Sequence, residues 1–258
     1  MPEKKSPHGR NWPRFSNPPI TEAILDLKVE LPENTSLDQL AGFQDSIRDM
    51  YPGRRTRMAG KAEMAISEDK GIQLGEGSTI ASLGYIFVSN DSSQMVQARK
   101  DGFTFNKLKP YDTWEALRDQ AHKLWSHYVE IARPKYVSRI ALRYVNRIEI
   151  PLPITDLSEY VLVAPSTPRT FPVEFHSFLM RMVMPYREYR AQAIVTETIE
   201  PGQPNSTTLP LIFDIDVFRQ VSLEPDDKAI WEILDKLRDL KNEIFHSTMT
   251  DQAKALFK

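Results

Sequence analysis

The sequence predicts an α+β protein of two similar halves, each running strand, helix, antiparallel strands, long helix. Three observations predict it. Runs with a two-residue apolar/polar alternation recur along the chain, as half-buried strands require. Two long stretches carry apolar residues at helical spacing. A strand-to-helix passage around residues 108–117 recurs around residues 223–234.

Taken in order, residues 1–16 are charged and proline-rich and read as a flexible arm that ends at Asn17-Pro18-Pro19, a turn signal. Leu25, Leu27, Val29 and Leu31 then alternate with Asp26, Lys28 and Glu30, which predicts a strand stopped by Pro32. Ser36 and Gln39 have the spacing of a capping box. Leu37, Leu40, Phe43, Ile47 and Met50 follow at helical spacing, up to Pro52-Gly53. Short strands are expected from 72 to 108, the clearest over 82–89 and 95–108. Asp112 and Glu115 suggest an aspartate capping box for a helix striped by Trp114, Leu117, Ala121, Leu124, Tyr128 and Ile131, which Pro134 ends. Residues 138–150 alternate again, with Ile140, Leu142, Tyr144, Ile148 and Ile150 on one side. After a proline-rich connection, strands are expected over 174–184, 189–200 and 209–223, with a loop at 202–207. Asp226 or Asp227 opens a last long helix striped by Ile230, Ile233, Leu234, Leu237, Leu240 and Ile244. Thr250-Asp251 caps a short terminal helix that puts Leu256 and Phe257 on its apolar side.

The repeated passage aligns Leu108, Pro110, Trp114, Glu115 and Leu117 with Leu223, Pro225, Trp231, Glu232 and Leu234, given a two-residue insertion. It divides the chain into an arm (1–16) and two α+β halves (17–136 and 137–258) packed as one unit. At fold level this is a duplicated, TATA-binding-like arrangement.

Composition narrows the function classes. The 258 residues carry 33 basic and 35 acidic side chains, a formal charge of −2, which argues against a dedicated nucleic-acid binder. The absence of cysteine excludes disulfides, thiolate zinc sites and a cysteine nucleophile. No signal peptide is visible, and no run reaches the ~18–20 apolar residues that span a bilayer, so a cytoplasmic location is expected.

Three stretches together resemble a sporadically distributed bacterial family of uncharacterised proteins. They are Asn17-Pro18-Pro19-Ile20-Thr21-Glu22-Ala23-Ile24, then Arg143-Tyr144-Val145-Asn146-Arg147-Ile148-Glu149-Ile150-Pro151, then residues 240–251, which include Lys241-Asn242-Glu243-Ile244-Phe245-His246. The resemblance spans roughly residues 15–257. It implies no activity and no catalytic residues. The family's scattered distribution implies mobile genes, such as those of phage-defence or toxin–antitoxin loci.

Among polar residues, Arg139, Arg143 and Arg147 share one strand face, about 13–14 Å apart at ~3.3–3.4 Å per residue. Guanidinium forks suit phosphates or carboxylates, and equally suit cross-strand pairing with Asp26, Asp214 and Asp216. Asn146 falls on the apolar side of that strand, where its amide must find partners. Asp214 and Asp216 share a face, as a divalent-metal or acid/base pair would, or as an exposed sheet face would. The five histidines include no zincin pair, and His122 and His127 lie on different helix faces. His176 is expected on a strand and His246 at a helix end. Arg54-Arg55-Thr56-Arg57 is expected in a loop, and Tyr186, Arg187, Tyr189 and Arg190 at a hairpin turn; both segments suit RNA bases or protein hot spots. Trp125 and Trp231 flank their helix stripes and are expected at a rim.

With no nucleophile elbow, Walker loop or dinucleotide fingerprint, neither catalytic residues nor a cofactor are expected. The reading is a non-enzymatic binding protein that engages a protein partner, of the antitoxin or defence-component kind. The alternative is a nucleic-acid or nucleotide binder using the Arg139, Arg143 and Arg147 face. A metal-dependent hydrolase built on Asp214 and Asp216 is the third reading.

Overall fold

Strand alternation decides which side of the sheet each residue faces, and in the computed structural model one face is covered by helices while the other, among the described residues, is not. The structure describes residues 12–61, 64–67, 71–74, 79–165, 177–200 and 206–258. The strands are β1 (Ile20–Glu30), β2 (Gly53–Lys61), β3 (Met64–Ser67), β4 (Gly71–Leu74), β5 (Thr79–Val88), β6 (Gln94–Arg99), β7 (Gly102–Leu108), β8 (Tyr136–Pro151), β9 (Leu179–Tyr186), β10 (Ala191–Ile199) and β11 (Thr208–Leu223). The helices are α1 (Leu37–Ala41), α2 (Trp114–Ala132), α3 (Ala229–Thr248) and α4 (Asp251–Ala255).

Nine strands form one antiparallel sheet in the order β2-β5-β6-β7-β1-β8-β11-β10-β9, and β3 pairs with β4 separately. The centre is β1 against β8, with Ala23 opposite Tyr144, Leu25 opposite Leu142 and Leu27 opposite Ile140. Those residues are buried on the helix-covered face, as are Phe103, Phe105, Phe213, Ile215 and Val217 on the neighbouring strands. One turn of α1 and a following 3-10 turn (Gly42–Ser46) bury Leu40 and Phe43, the latter 5.4 Å from the Phe87 ring. Helix α2 adds Leu117, Leu124 and Tyr128 to the core, and α3 adds Ile230, Leu234, Leu237 and Leu240. The two long helices are tied together. Trp114 Nε1 donates to Asp235 at 2.7 Å, and Trp125 Nε1 donates to the Pro225 carbonyl at 2.9 Å.

This continuous sheet corrects the expectation of two similar halves and with it the TATA-binding-like duplication. Strand β8 begins at Tyr136 and pairs directly with β1, and few helices accompany the strands. Among the described residues between β8 and β9 there is a 3-10 turn at Leu157–Glu159 and no second opening helix. The helix expected from Leu37 to Met50 is five residues of α1 followed by the 3-10 turn. The repeated passage misled because proline ahead of an acidic helix start is local entry chemistry, available to any helix. Its two tryptophans also do different jobs: Trp114 is buried and bonded to Asp235, whereas Trp231 sits 4.4 Å from the ring of His122.

Smaller differences share a local cause. Thr113, one residue beyond Asp112, caps α2 by accepting from Ala116 N at 3.1 Å. Ser36 caps α1, but Gln39 turns its amide to the Ile131 carbonyl instead of completing a capping box. Asp227 accepts from Ala229 N ahead of α3, and Thr250 from Ala253 N ahead of α4. The run expected over 95–108 is two strands joined at Lys100-Asp101. Arg54–Arg57 belongs to edge strand β2 and not to a loop. Trp125 is a core residue, 2% exposed and 5.4 Å from Tyr128, and not a rim residue. His176 and most of the expected 202–207 loop lie outside the described residues.

A carboxylate breaks the apolar pattern on the covered face. Glu197 occupies the covered face of β10, between Val195 and Ile199 in the alternation, fully buried and without a hydrogen-bond partner among the described residues. Burial raises its pKa to about 7. A carboxyl whose folded pKa lies above its unfolded value holds the proton more tightly when folded. Its protonated form therefore costs little below pH 4.5, and stability falls as pH rises from 4.5 to about 7. Glu197→Gln, which carries no charge, is expected to raise the melting temperature at pH 8 by several degrees and leave it nearly unchanged at pH 4.5, as read by thermal denaturation at the two pH values.

Candidate functional site

Two surfaces collect polar side chains, one on each face of the sheet. On the helix-free face, strands β2, β6, β7, β1, β8 and β11 line a groove of about 320 Å³ containing Arg57, Arg99, Arg139 and Arg143. Arg99 lies deepest: its side chain is 8% exposed, with Nη2 2.8 Å from Asp26 and Nε 3.0 Å from Asp101. The reach to Asp26 passes over Gly102, whose φ is +154°. A Cβ there would lie 2.9 Å from the Arg99 guanidinium and 2.3 Å from the Leu27 carbonyl, so only glycine leaves the path open. Thr104 and Asn106 continue the lattice, Thr104 donating to Asp26 at 2.7 Å and Asn106 to Glu22 at 2.7 Å.

The three arginines predicted to share a strand face do share it, and carboxylates meet each of them. Arg139 bridges Asp26 at 3.4 Å and Asp216 at 3.3 Å, its guanidinium 4.3 Å from the Phe218 ring centre. Arg143 holds Asp214 in a two-pronged contact at 2.8 and 2.6 Å. Arg147 pairs with Glu149 at 2.7 Å and with Glu200. Asp214 and Asp216, weighed as metal ligands, are thus engaged by guanidinium groups. Among the described residues no group of three or more histidines and carboxylates is placed to hold a metal ion. At the β9–β10 turn, Tyr189 donates to Glu243 at 2.9 Å, while Tyr186, Arg187 and Arg190 line a shallow depression beside Phe218.

The second surface is a cavity of about 170 Å³ on the helix-covered side, closed by residues 12–20, the passage into α2, β8 and α3. Three stretches far apart in sequence reach it: Pro18, Pro19 and Ile20, then Tyr144 and Asn146, then Lys241, Phe245 and His246. Asn146 is buried and donates to the Phe213 carbonyl at 2.9 Å, which satisfies an amide that the apolar strand face would otherwise strand. Tyr144 and Tyr111 share a hydroxyl contact at 3.0 Å, and burial raises both phenols, Tyr111 to about 12. Lys241 is 9% exposed, and its ammonium lies 4.0 Å from the Tyr144 ring centre. Burial first, and the Arg238 charge second, lower its pKa to about 7. Burial, then the charges of Lys241 and Lys254, lower His246 to about 4. Trp12 stacks on His246 at 4.9 Å, and Phe15 packs edge-on to Phe257.

Sequence reasoning singled out Asn146 but not Lys241, Arg238, Trp12 or Glu197. A signal was present for two of them. Lys241 falls four residues after Leu237 and three before Ile244, on the apolar stripe of α3, and Glu197 falls on the apolar register of β10. No protein-family model matches the chain, and neither does any curated protein. No helix among the described residues is long and apolar enough to cross a membrane.

Burial separates the ion pairs by their contribution to stability. Arg143→Ala, at a side chain 47% exposed, is expected to change unfolding free energy by about 0–1 kcal/mol. Arg99→Ala leaves Asp26 short of a buried partner and is expected to cost about 3–5 kcal/mol. Urea denaturation of the two variants beside the parent checks both.

Proposed function

We propose that the chain is a non-enzymatic, cytoplasmic binding protein that engages a protein partner across the helix-free face of its sheet. The observation that carries this reading is the charge balance of that face. Arg139, Arg143 and Arg147 are each matched by carboxylates of their own chain, Asp26, Asp214, Asp216, Glu149 and Glu200. Such a lattice offers alternating donors and acceptors to a polar protein surface. A polyanion would have to displace the carboxylates to reach the same guanidinium groups. Apolar anchors border the lattice on edge strand β9, where Leu179 is 73% and Val183 56% exposed. The family resemblance adds the expectation of an antitoxin or defence-system component, whose partner is encoded nearby.

The test is co-expression with the product of the adjacent gene, followed by size-exclusion chromatography. Co-elution that Val183→Asp weakens at least tenfold supports the reading, and separate elution of the two proteins counts against it. Fluorescence anisotropy with labelled single-stranded RNA and duplex DNA provides the other arm. Weak binding that the double change Arg143→Ala, Arg147→Ala leaves unaltered is expected. Tight, salt-sensitive binding lost in that variant would install the nucleic-acid reading instead.

A further inference from the structure

We propose that the cavity over Tyr144 is a binding site for a small organic carboxylate with a flat apolar body. The geometry supplies each part of such a ligand with its own counterpart. Lys241 carries the only ammonium in the cavity wall, and it has neither a carboxylate nor a hydrogen-bond partner among the described residues. Removing a cation from water without an anion beside it is costly, and an anion delivered from outside would offset that cost. Arg238, 24% exposed and in contact with Asp239 at 3.3 Å, lines the same wall one helical turn earlier and adds to the positive potential. The wall's own carboxylates do not cancel it. Asp112 is 64% exposed and paired with Lys107 at 3.8 Å, and Glu115 is 43% exposed and lies 4.0 Å from Arg14, so both are at the solvent side.

Aromatic surfaces complete the match. Trp12, stacked on His246 with an interplanar angle of 8°, and Phe15 give flat apolar walls. The Trp12 Nε1 is buried without an acceptor among the described residues, a donor still to be used. A volume of about 170 Å³ slightly exceeds the ~150 Å³ of an apolar cavity that holds benzene, so one ring with a carboxylate fits. Because this cavity and the arginine face lie on opposite sides of the sheet, the site stands independently of the partner surface.

The experiment is isothermal titration of the full chain with benzoate, with its neutral counterpart benzyl alcohol, and with inorganic phosphate. Benzoate is expected to saturate with Kd below ~1 mM and to bind at least tenfold tighter than benzyl alcohol or phosphate. Lys241→Met keeps the volume and removes a buried charge, so it should melt no lower than the parent and lose the preference for benzoate. Trp12→Ala, outside the sheet, should weaken benzoate and benzyl alcohol alike. Equal binding of benzoate and benzyl alcohol, an unchanged preference in a folded Lys241→Met, or no saturation by any of the three probes would overturn the proposal.

Discussion

The pairing of β1 with β8 is the constraint on which the rest of the molecule depends. These two strands share ladder positions from Ile20 opposite Asn146 to Glu30 opposite Tyr136, and every other strand of the large sheet is added outward from them. A one-residue slip of β1 would turn Leu25 and Leu27 to solvent and Asp26 into the core, and the same slip of β8 would expose Ile140 and Leu142 and bury Arg143. Two long helices then have only one apolar face to cover, which is why α2 lies beside α3, with Trp114 bonded to Asp235 of α3 and Trp125 to the Pro225 carbonyl just ahead of it. The same pairing draws the chain just before β1 across the end of β8, where Arg147 N donates to the Pro19 carbonyl at 2.8 Å. The cavity beneath Trp12 is the space left by that crossing.

Polar groups follow two different rules on the two faces. On the open face they saturate one another: arginine, carboxylate, hydroxyl and amide alternate across six strands, so exposed charge carries little net field. On the covered face a few polar groups stand in apolar surroundings. Asn146 is satisfied there by the Phe213 carbonyl, while Glu197 and Lys241 have no charge of opposite sign beside them among the described residues. Structure alone explains the first set, because a sheet face needs cross-strand pairs. It does not explain the second, since an apolar residue of similar size would serve packing better at either place.

Much of the local structure was legible in the sequence because it is encoded by short-range rules. The alternation around Leu25 and Ile140, the stripes of α2 and α3 and the caps at Ser36 and Thr250 each depend on residues within a few positions. The overall arrangement was not legible in that way. A similarity between helix entries at Pro110 and Pro225 suggested a repeat, yet which strands pair is decided by contacts far apart in sequence, such as Asn106 with Glu22, 84 residues apart, and Arg139 with Asp26, 113 residues apart. The arginine face was readable as a face, because a spacing of four on a strand fixes it. Its partners Asp26, Asp214 and Asp216 were readable as cross-strand candidates, whereas Glu149 and Glu200, the partners of Arg147, were not. The cavity was the least legible feature. Trp12, Tyr111 and Lys241 meet only after the sheet and α3 are assembled, and only the lysine's place on an apolar stripe marked it beforehand.

The central pair also sets an order of events during synthesis. Strand β1 finds β7 within the first 108 residues, with Glu22 opposite Leu108, so one side of it is paired while its other edge still waits for β8. Until residue 151 has left the ribosome, that waiting edge presents unpaired amides and carbonyls beside Leu25 and Leu27 to whatever strand is near. Ion-pair partners on the open face, Asp26 above all, would then meet Arg99 before Arg139 arrives. An edge that carries charged side chains pairs less readily with foreign strands, and Asp26, Lys28 and Glu30 stand on this one.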